Sequence, residues 1–269
     1  MDEQTLVTDP SPPRSWLRRR TEDLVLAFAL LTRLPLPRLV IRPDVPLPDY
    51  FWAFPVVGFV VGHVAAVGYL LAREEGGLGP NLAVLLAMAA SMLVTGALHE
   101  DGLADFADGI GGGRTRERKL AIMRDSCIGT YGAGALFLVL AMRWSALASV
   151  ADLHAAAGLL VLSHTLPRGL LAVIPEYWRP ARADGQAATA AEGNLVSSLA
   201  SIALAVALAF LLDHGPIAIG AILAAATGVV AVAVGASRYL GGYTGDVFGA
   251  AEQISGTLVL LVGASLLPR

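Results

Sequence analysis

Seven apolar runs, each close to the length of a membrane crossing, dominate this chain. A helix needs about 20 apolar residues to cross the hydrocarbon core of a bilayer. The predicted spans are Phe54–Ala72, Leu82–Leu98, Tyr131–Ala151, Ala155–Ile174, Leu195–Leu212, Ile217–Ala236 and Ile254–Leu267. The last run is short, so whether it crosses or re-enters stays open. Because lipid offers no water to pair with backbone groups, the runs predict an all-α, polytopic integral membrane helical bundle of about seven spans.

The composition agrees with a membrane protein. Hydrophobic residues make up 55% of the 269 residues and charged residues only 15%, whereas soluble domains carry about 25% charged residues. The net charge of −3 argues against nucleic acid as the main partner. Cys127 is the only cysteine, which excludes both a disulfide framework and a cysteine-based metal site.

The segment before the first span is rich in proline and arginine. We predict that residues 1–23 are flexible and that Leu24–Leu34 forms a short interfacial helix, because eleven residues cannot span a bilayer. Residues 24–269 are then expected to form a single membrane-embedded domain.

Lys and Arg alternate between the two ends of the predicted spans. They concentrate before the first span and in every second loop after it. The opposite loops carry Arg73, which Glu74 and Glu75 offset, and then Asp152 and Asp213. The positive-inside rule therefore places the N-terminus and all the basic loops in the cytoplasm.

An acidic stretch follows the second span and contains Glu100, Asp101, Asp105 and Asp108. On a helix the three aspartates lie at i, i+4 and i+7, within about 60° of one another. Such like charges repel unless a cation lies between them. Mg²⁺ prefers oxygen ligands and is often held by a few carboxylates plus substrate phosphates. The stretch therefore predicts a Mg²⁺ site with these four ligands, and phosphate chemistry at a membrane surface.

Two loops on the same predicted side combine glycine with basic and acidic residues, over residues 111–132 and 238–249. Backbone N–H groups and cations in such loops can contact phosphate oxygens. We predict Asp125 and Asp246 as catalytic together with the three aspartates. The predicted substrate-binding residues are Arg33, Lys119, Arg124, Arg168 and Arg238. For the basic residues a solvated cytoplasmic loop is an equally good interpretation, and Arg168 could instead snorkel to the interface.

Five motifs resemble the cobalamin synthase family, in the family's order. They are Leu31–Pro37, Phe54–Gly58, Glu100–Gly109, Met123–Ser126 with Gly129, and Gly241–Asp246. Members of this family are adenosylcobinamide-GDP ribazoletransferases. The resemblance implies a multi-pass enzyme of the bacterial inner membrane that requires Mg²⁺ and faces the cytoplasm. It implies that residues 24–269 join adenosylcobinamide-GDP to α-ribazole, or its 5′-phosphate, and release GMP. Membrane lipid and a homo-oligomer are the other expected partners.

Two other classes of function stay open at this point. A CDP-alcohol phosphatidyltransferase also uses an Asp-Gly pair, but it carries Ala-Arg where this chain has Leu103-Ala104-Asp105. An ion-coupled transporter would place carboxylates near the bilayer midplane in repeated halves, whereas these carboxylates lie at the ends of spans.

Overall fold

The computed structural model describes residues 15–36 and 45–267, except for the side chain of Gln186. Within these ranges the α-helices are α1 Trp16–Leu31, α2 Phe54–Leu70, α3 Pro80–Thr95, α4 Leu98–Gly112, α5 Arg116–Ile122, α6 Thr130–Ala148, α7 Leu153–Leu170, α8 Val173–Tyr177, α9 Leu195–Leu212, α10 Pro216–Leu240 and α11 Gly245–Leu266. A 3-10 turn, Leu47–Ala53, leads into α2, and a π-helical turn, Leu71–Glu75, ends it. The described chain contains no strand, only an isolated bridge between Pro180 and Tyr243.

The predicted all-α membrane architecture is confirmed. In the described ranges, six helical stretches are long and apolar enough to cross a membrane, and the bent pair α3–α4 would make a seventh. The six stretches are Leu47–Glu75, Thr130–Ala148, Leu153–Tyr177, Leu195–Leu212, Pro216–Leu240 and Gly245–Leu266. Local sequence sets several helix starts: Pro80 and Pro216 occupy the first turns of α3 and α10, where a missing N–H costs nothing. Asp152 caps α7 by accepting from Ala155 N at 2.8 Å.

Two predicted boundaries were wrong. The helix expected over Leu24–Leu34 instead covers Trp16–Leu31, starting at Ser15, which accepts a hydrogen bond from Arg18 N. Part of the segment 1–23 that we predicted to be flexible is therefore helical, and residues 1–14 lie outside the described ranges. The last helix begins at Gly245 rather than Ile254 and has 22 residues, enough to cross a bilayer. Its first two turns contain Asp246 and Glu252, whose charges interrupt the apolar pattern.

A bend of 90° separates α3 from α4. Two successive residues, Gly96 (φ 64°) and Ala97 (φ 56°), adopt the left-handed conformation and end the helix inside what the sequence presents as one apolar run. Glycine adopts this conformation freely, whereas alanine does so at a cost of about 1–2 kcal/mol. The bend turns the acidic stretch away from the direction of the span.

Helix α7 lies at the centre of the bundle and is almost fully buried. It packs against α2, α9, α10 and α11. Small residues allow these approaches, as is common between helices in lipid: a Cβ on Gly58 of α2 would collide with the backbone of α7 at His164. Helix α4 packs against α6 and α11, which places the acidic stretch beside the first turns of two spans.

Candidate active site

The acidic stretch forms helix α4, as predicted, but its carboxylates differ in environment. Asp101 is exposed, Asp105 is half-buried and Asp108 is buried. Asp105 lies close enough to Asp101, Asp108 and Asp246 to feel the charge of each. The structure therefore brings Asp246, which is far away in sequence, to the predicted cluster.

Two glycines explain why Asp246 reaches α4. A Cβ on Gly102 of α4 would stand 3.1 Å from the Cα of Gly249 and 3.2 Å from that of Asp246. The backbones of α4 and α11 thus come closer than larger residues would allow. Asp246 accepts hydrogen bonds from Arg182 Nη2 and Thr244 Oγ1, each at 3.1 Å.

Asp108 connects α4 to α6. Its two carboxylate oxygens accept hydrogen bonds from the backbone N–H groups of Gly129 (2.7 Å) and Gly132 (2.9 Å). These donors lie at the start of α6, where four N–H groups have no partner within the helix. A Cβ on either glycine would collide with the carboxylate. The contacts of Asp108 are those of a helix cap, in contrast to the metal-ligand role predicted for it.

A cavity of about 450 Å³, here called the acidic cleft, opens between α4 and the loop before α6. Its walls include Glu100, Asp101, Asp105, Arg124 and Asp125. The loop is held partly by Asp125, whose Oδ1 accepts from Cys127 N at 3.1 Å. Five residues predicted for the site from two separate motifs therefore share one cavity.

A second cavity, here called the basic cavity, adjoins the acidic cleft and measures about 270 Å³. Arg124 and Arg182 line it together with Asp184 and Tyr243. Arg124 forms an ion pair with Asp184. Burial raises the pKa of Tyr243 to about 12, so its hydroxyl is protonated at neutral pH. That hydroxyl is buried and has no hydrogen-bond partner in the described part of the chain.

Other basic residues predicted to bind substrate are placed differently. Lys119 is buried, donates to the carbonyl of Ile110 at 2.6 Å and lies 5.6 Å from the ring centre of Tyr239. These contacts stabilise the C-terminal end of α4 and do not direct the ammonium group into the acidic cleft. Arg238 is exposed at the end of α10.

Arg33 lies at the bend before α4. Its backbone N–H donates to Val94 O at 2.7 Å, and a Cβ on Gly96 would stand 2.6 Å from Arg33 Nε. The side chain is exposed. This places Arg33 near the start of the acidic helix, without a hydrogen bond or ion pair to any of the acidic residues named above.

Arg168 neither reaches the acidic cleft nor snorkels to the interface. It is 1% exposed, on α7, and forms an ion pair with Glu252 of α11. Arg168 also contacts His99 Nδ1 at 3.3 Å and His164 Nδ1 at 3.2 Å. Arg143 of α6 completes this buried cluster, 4.0 Å from Glu252. A charged residue in a span requires such a partner, and sequence reasoning did not assign one.

The oxygen-only set of donors in the acidic cleft suits a hard cation. Glu100 adds a buried Oε2 atom that lacks a hydrogen-bond partner in the described structure. However, no three His, Cys, Asp or Glu residues within the described ranges are arranged to hold one metal ion by themselves. The residues fit an ion that substrate oxygens and water complete, rather than a preformed protein cage.

A comparison with protein families decides what kind of protein carries this site. A family model described as cobalamin-5-phosphate synthase matches residues 23–264, nearly the whole chain. The chain belongs to the cobalamin-5-phosphate synthase family. This match covers the acidic cleft, the basic cavity and the buried cluster.

Curated proteins similar to this chain support this assignment to the cobalamin-5-phosphate synthase family. The three described here are each named adenosylcobinamide-GDP ribazoletransferase. The relative from Bradyrhizobium diazoefficiens is 43% identical over 257 residues, 94% of this chain and 97% of its own length. The relative from Mesorhizobium japonicum is 41% identical over 92% of this chain and 94% of its own. The relative from Shewanella piezotolerans is 36% identical over 94% of this chain and 99% of its own length. No solved structure matches the chain.

Sequence reasoning missed two residues in and around this site. Glu252 is buried within a helix long enough to span a membrane, and a carboxylate at such a position is a signal of function or pairing. Arg182 was used only as one of the basic loop residues that predict the topology. The sequence does not indicate which carboxylate a loop arginine contacts.

Proposed function

We propose that this chain transfers the phosphocobinamide group of adenosylcobinamide-GDP to α-ribazole, or to its 5′-phosphate, and releases GMP. The observation that carries the proposal is the acidic cleft beside the basic cavity, which two arginines line, in a chain that matches its family along nearly its full length. Carboxylates and guanidinium groups side by side suit a metal-bound diphosphate.

The proposed reaction is a displacement at phosphorus. A ribose hydroxyl oxygen attacks the phosphorus on the cobinamide side, and a new P–O bond forms. The P–O bond to the other phosphate breaks, its electron pair leaves with GMP, and the hydroxyl proton passes to a carboxylate. Asp246 and Asp125 are the proposed acceptors, since both lie at the edge of the cluster. The protein mainly positions the reactants and stabilises charge.

We propose Mg²⁺ as the cofactor, with Asp101, Asp105 and Glu100 as the residues that hold it. When bound, the ion polarises diphosphate oxygens and stabilises the leaving phosphate. Asp108 supports the site by fixing α6 against α4 through Gly129 and Gly132.

The arginines take the charge on the GMP side in this proposal. Arg124 borders both cavities, and its partner Asp184 is exposed, so the ion pair can open toward a phosphate at little cost. Arg182 donates to Asp246 at 3.1 Å and supplies a counter-charge for that carboxylate.

We also propose a location in the bacterial cytoplasmic membrane with the site facing the cytoplasm. The basic loops of the chain lie on the side of the acidic cleft, and the diphosphate of adenosylcobinamide-GDP carries charges that do not cross a bilayer. The outer faces of the spans contact lipid, and a homo-oligomer stays a prediction.

The test incubates membranes that contain the protein with adenosylcobinamide-GDP, α-ribazole and Mg²⁺. Mass spectrometry should detect adenosylcobalamin and GMP in equal amounts. A parallel reaction with α-ribazole 5′-phosphate identifies the preferred acceptor. Release of CMP from a CDP-alcohol would instead indicate a CDP-alcohol phosphatidyltransferase. Ion-coupled uptake without turnover would indicate a transporter.

Two additions make the test specific for the site. EDTA should abolish activity, and Mg²⁺ should restore it better than the larger Ca²⁺; full activity in EDTA would refute the metal proposal. Asp101→Asn should abolish turnover, whereas Glu117→Gln, an equally exposed carboxylate on α5, should leave it unchanged.

A further inference from the structure

Asp101 also lines a third cavity. This apolar cavity measures about 190 Å³. Its apolar walls come from α1, the turn before α2, the first residue of α2, the end of α7 and α11, through Leu30, Leu31, Leu47, Phe54, Leu171 and Phe248. The carboxylate-bearing residues in its wall are Asp101 and Asp246.

The shared wall determines which kind of ligand fits. Asp101 lines both the apolar cavity and the acidic cleft. A ligand with one apolar end in the cavity therefore presents its other end to the carboxylates. Hydroxyl groups on that second end suit this position, because hydroxyl donors pair with carboxylate oxygens.

The size of the cavity restricts the apolar end. Pockets for drug-sized ligands measure about 300–1,000 Å³, and this one is smaller. It has room for a fused two-ring aromatic group and excludes a macrocycle. Phe54 and Phe248 in its wall supply aromatic faces and edges for such a ring.

We propose that the apolar cavity binds the aromatic base of the acceptor, the benzimidazole ring of the ribazole, and places its ribose against Asp101 and Asp246. This inference rests on the proposed function and adds the position of the acceptor. It also makes the cavity a determinant of base specificity. A base with polar edges, such as adenine, would bury hydrogen-bonding groups against leucine side chains without partners.

The first experiment fills the cavity. Leu30→Trp, on a half-buried wall position of α1, should raise KM for α-ribazole roughly tenfold or more and leave KM for adenosylcobinamide-GDP unchanged. Leu17→Trp is the matched control, since it makes the same substitution at a position of α1 that is 69% exposed. It should change neither constant.

The second experiment asks about base specificity and does not depend on the tryptophan variant folding. Wild-type protein should prefer the dimethylbenzimidazole riboside over the α-riboside of adenine in kcat/KM. Leu47→Asn, which adds an amide of similar size to the wall, should reduce that preference roughly tenfold. A purely structural role of Leu47 would lower both rates together.

Several outcomes would overturn the assignment. A rise in KM for adenosylcobinamide-GDP in Leu30→Trp would indicate that the corrinoid substrate, and not the acceptor, occupies the cavity. Unchanged KM values in a Leu30→Trp protein that inserts into the membrane would show that the acceptor does not bind in the cavity. Equal wild-type kcat/KM values with both ribosides would show the same. These results leave the proposed function standing, whereas absence of any wild-type turnover with the two substrates would refute that function and the subsite with it.

Discussion

The ion pair between Arg168 and Glu252 offers a sharp test of the packing, independent of catalysis. Arg168 is 1% exposed and Glu252 is fully buried. The guanidinium group donates to Glu252 Oε1, and Gln253 Nε2 donates to Oε2 at 3.0 Å. Glu252→Gln keeps the size of the side chain but leaves the guanidinium charge buried without its counterion. Breaking a buried pair from one side costs about 3–5 kcal/mol.

The double variant separates charge from packing. Arg168→Met combined with Glu252→Gln removes both charges, so it should be less destabilised than the sum of the two single variants, by about 1–3 kcal/mol of coupling free energy. Arg143, 4.0 Å from Glu252 Oε2, becomes the nearest remaining cation and limits the recovery.

The assay is unfolding of the purified protein in detergent, followed by melting temperature. Asp184→Asn serves as the control, because its ion pair with Arg124 is exposed and should contribute only about 0–1 kcal/mol. Glu252→Gln with a wild-type melting temperature, or a double variant as unstable as the sum of the singles, would refute the reasoning.

Three further predictions concern the site and its orientation. Asp105→Asn should insert normally and melt no lower than wild type, yet lose on the order of a hundredfold or more in kcat, as when one strong electrostatic stabiliser is removed; near-normal turnover would contradict its role. Asp108→Asn loses one of the two hydrogen bonds to the start of α6 and should lower stability by about 1.5–3 kcal/mol, measured as a melting temperature; unchanged stability would contradict the capping role. In a Cys127→Ser background, cysteine at position 112 should resist an impermeant thiol reagent in intact cells and cysteine at position 75 should react; labelling at 112 from outside would reverse the topology.

The sequence was informative wherever one helix could be considered alone. Apolar runs of sufficient length predicted the spans, because burial of backbone groups in lipid leaves few alternatives to a helix. The run Leu195–Leu212 matches α9 at both ends. The 3.6-residue period also placed Asp101 and Asp105 correctly on one helix.

Prediction failed where the outcome depends on packing between helices or on the conformation of single backbone positions. Lys119 and Arg168 looked available for phosphate, but the carbonyl of Ile110 and the carboxylate of Glu252 engage them. Both partners are set by how helices pack, which no local pattern encodes. The bend at Gly96 and Ala97 was hidden inside an apolar run, because two left-handed residues leave no mark in hydropathy.

The 90° bend also fixes how deep the acidic helix lies. Helix α3 has 16 residues, so at about 1.5 Å per residue it is about 24 Å long, less than the hydrocarbon thickness of about 30 Å. Helix α10, with 25 residues, is longer than that thickness by the same measure. The bilayer must thin around α3, or water must descend to meet the carboxylates of α4. The length of the lipid acyl chains should therefore affect this protein: bilayers of short lipids fit α3, and thicker bilayers draw the carboxylates of α4 toward hydrocarbon.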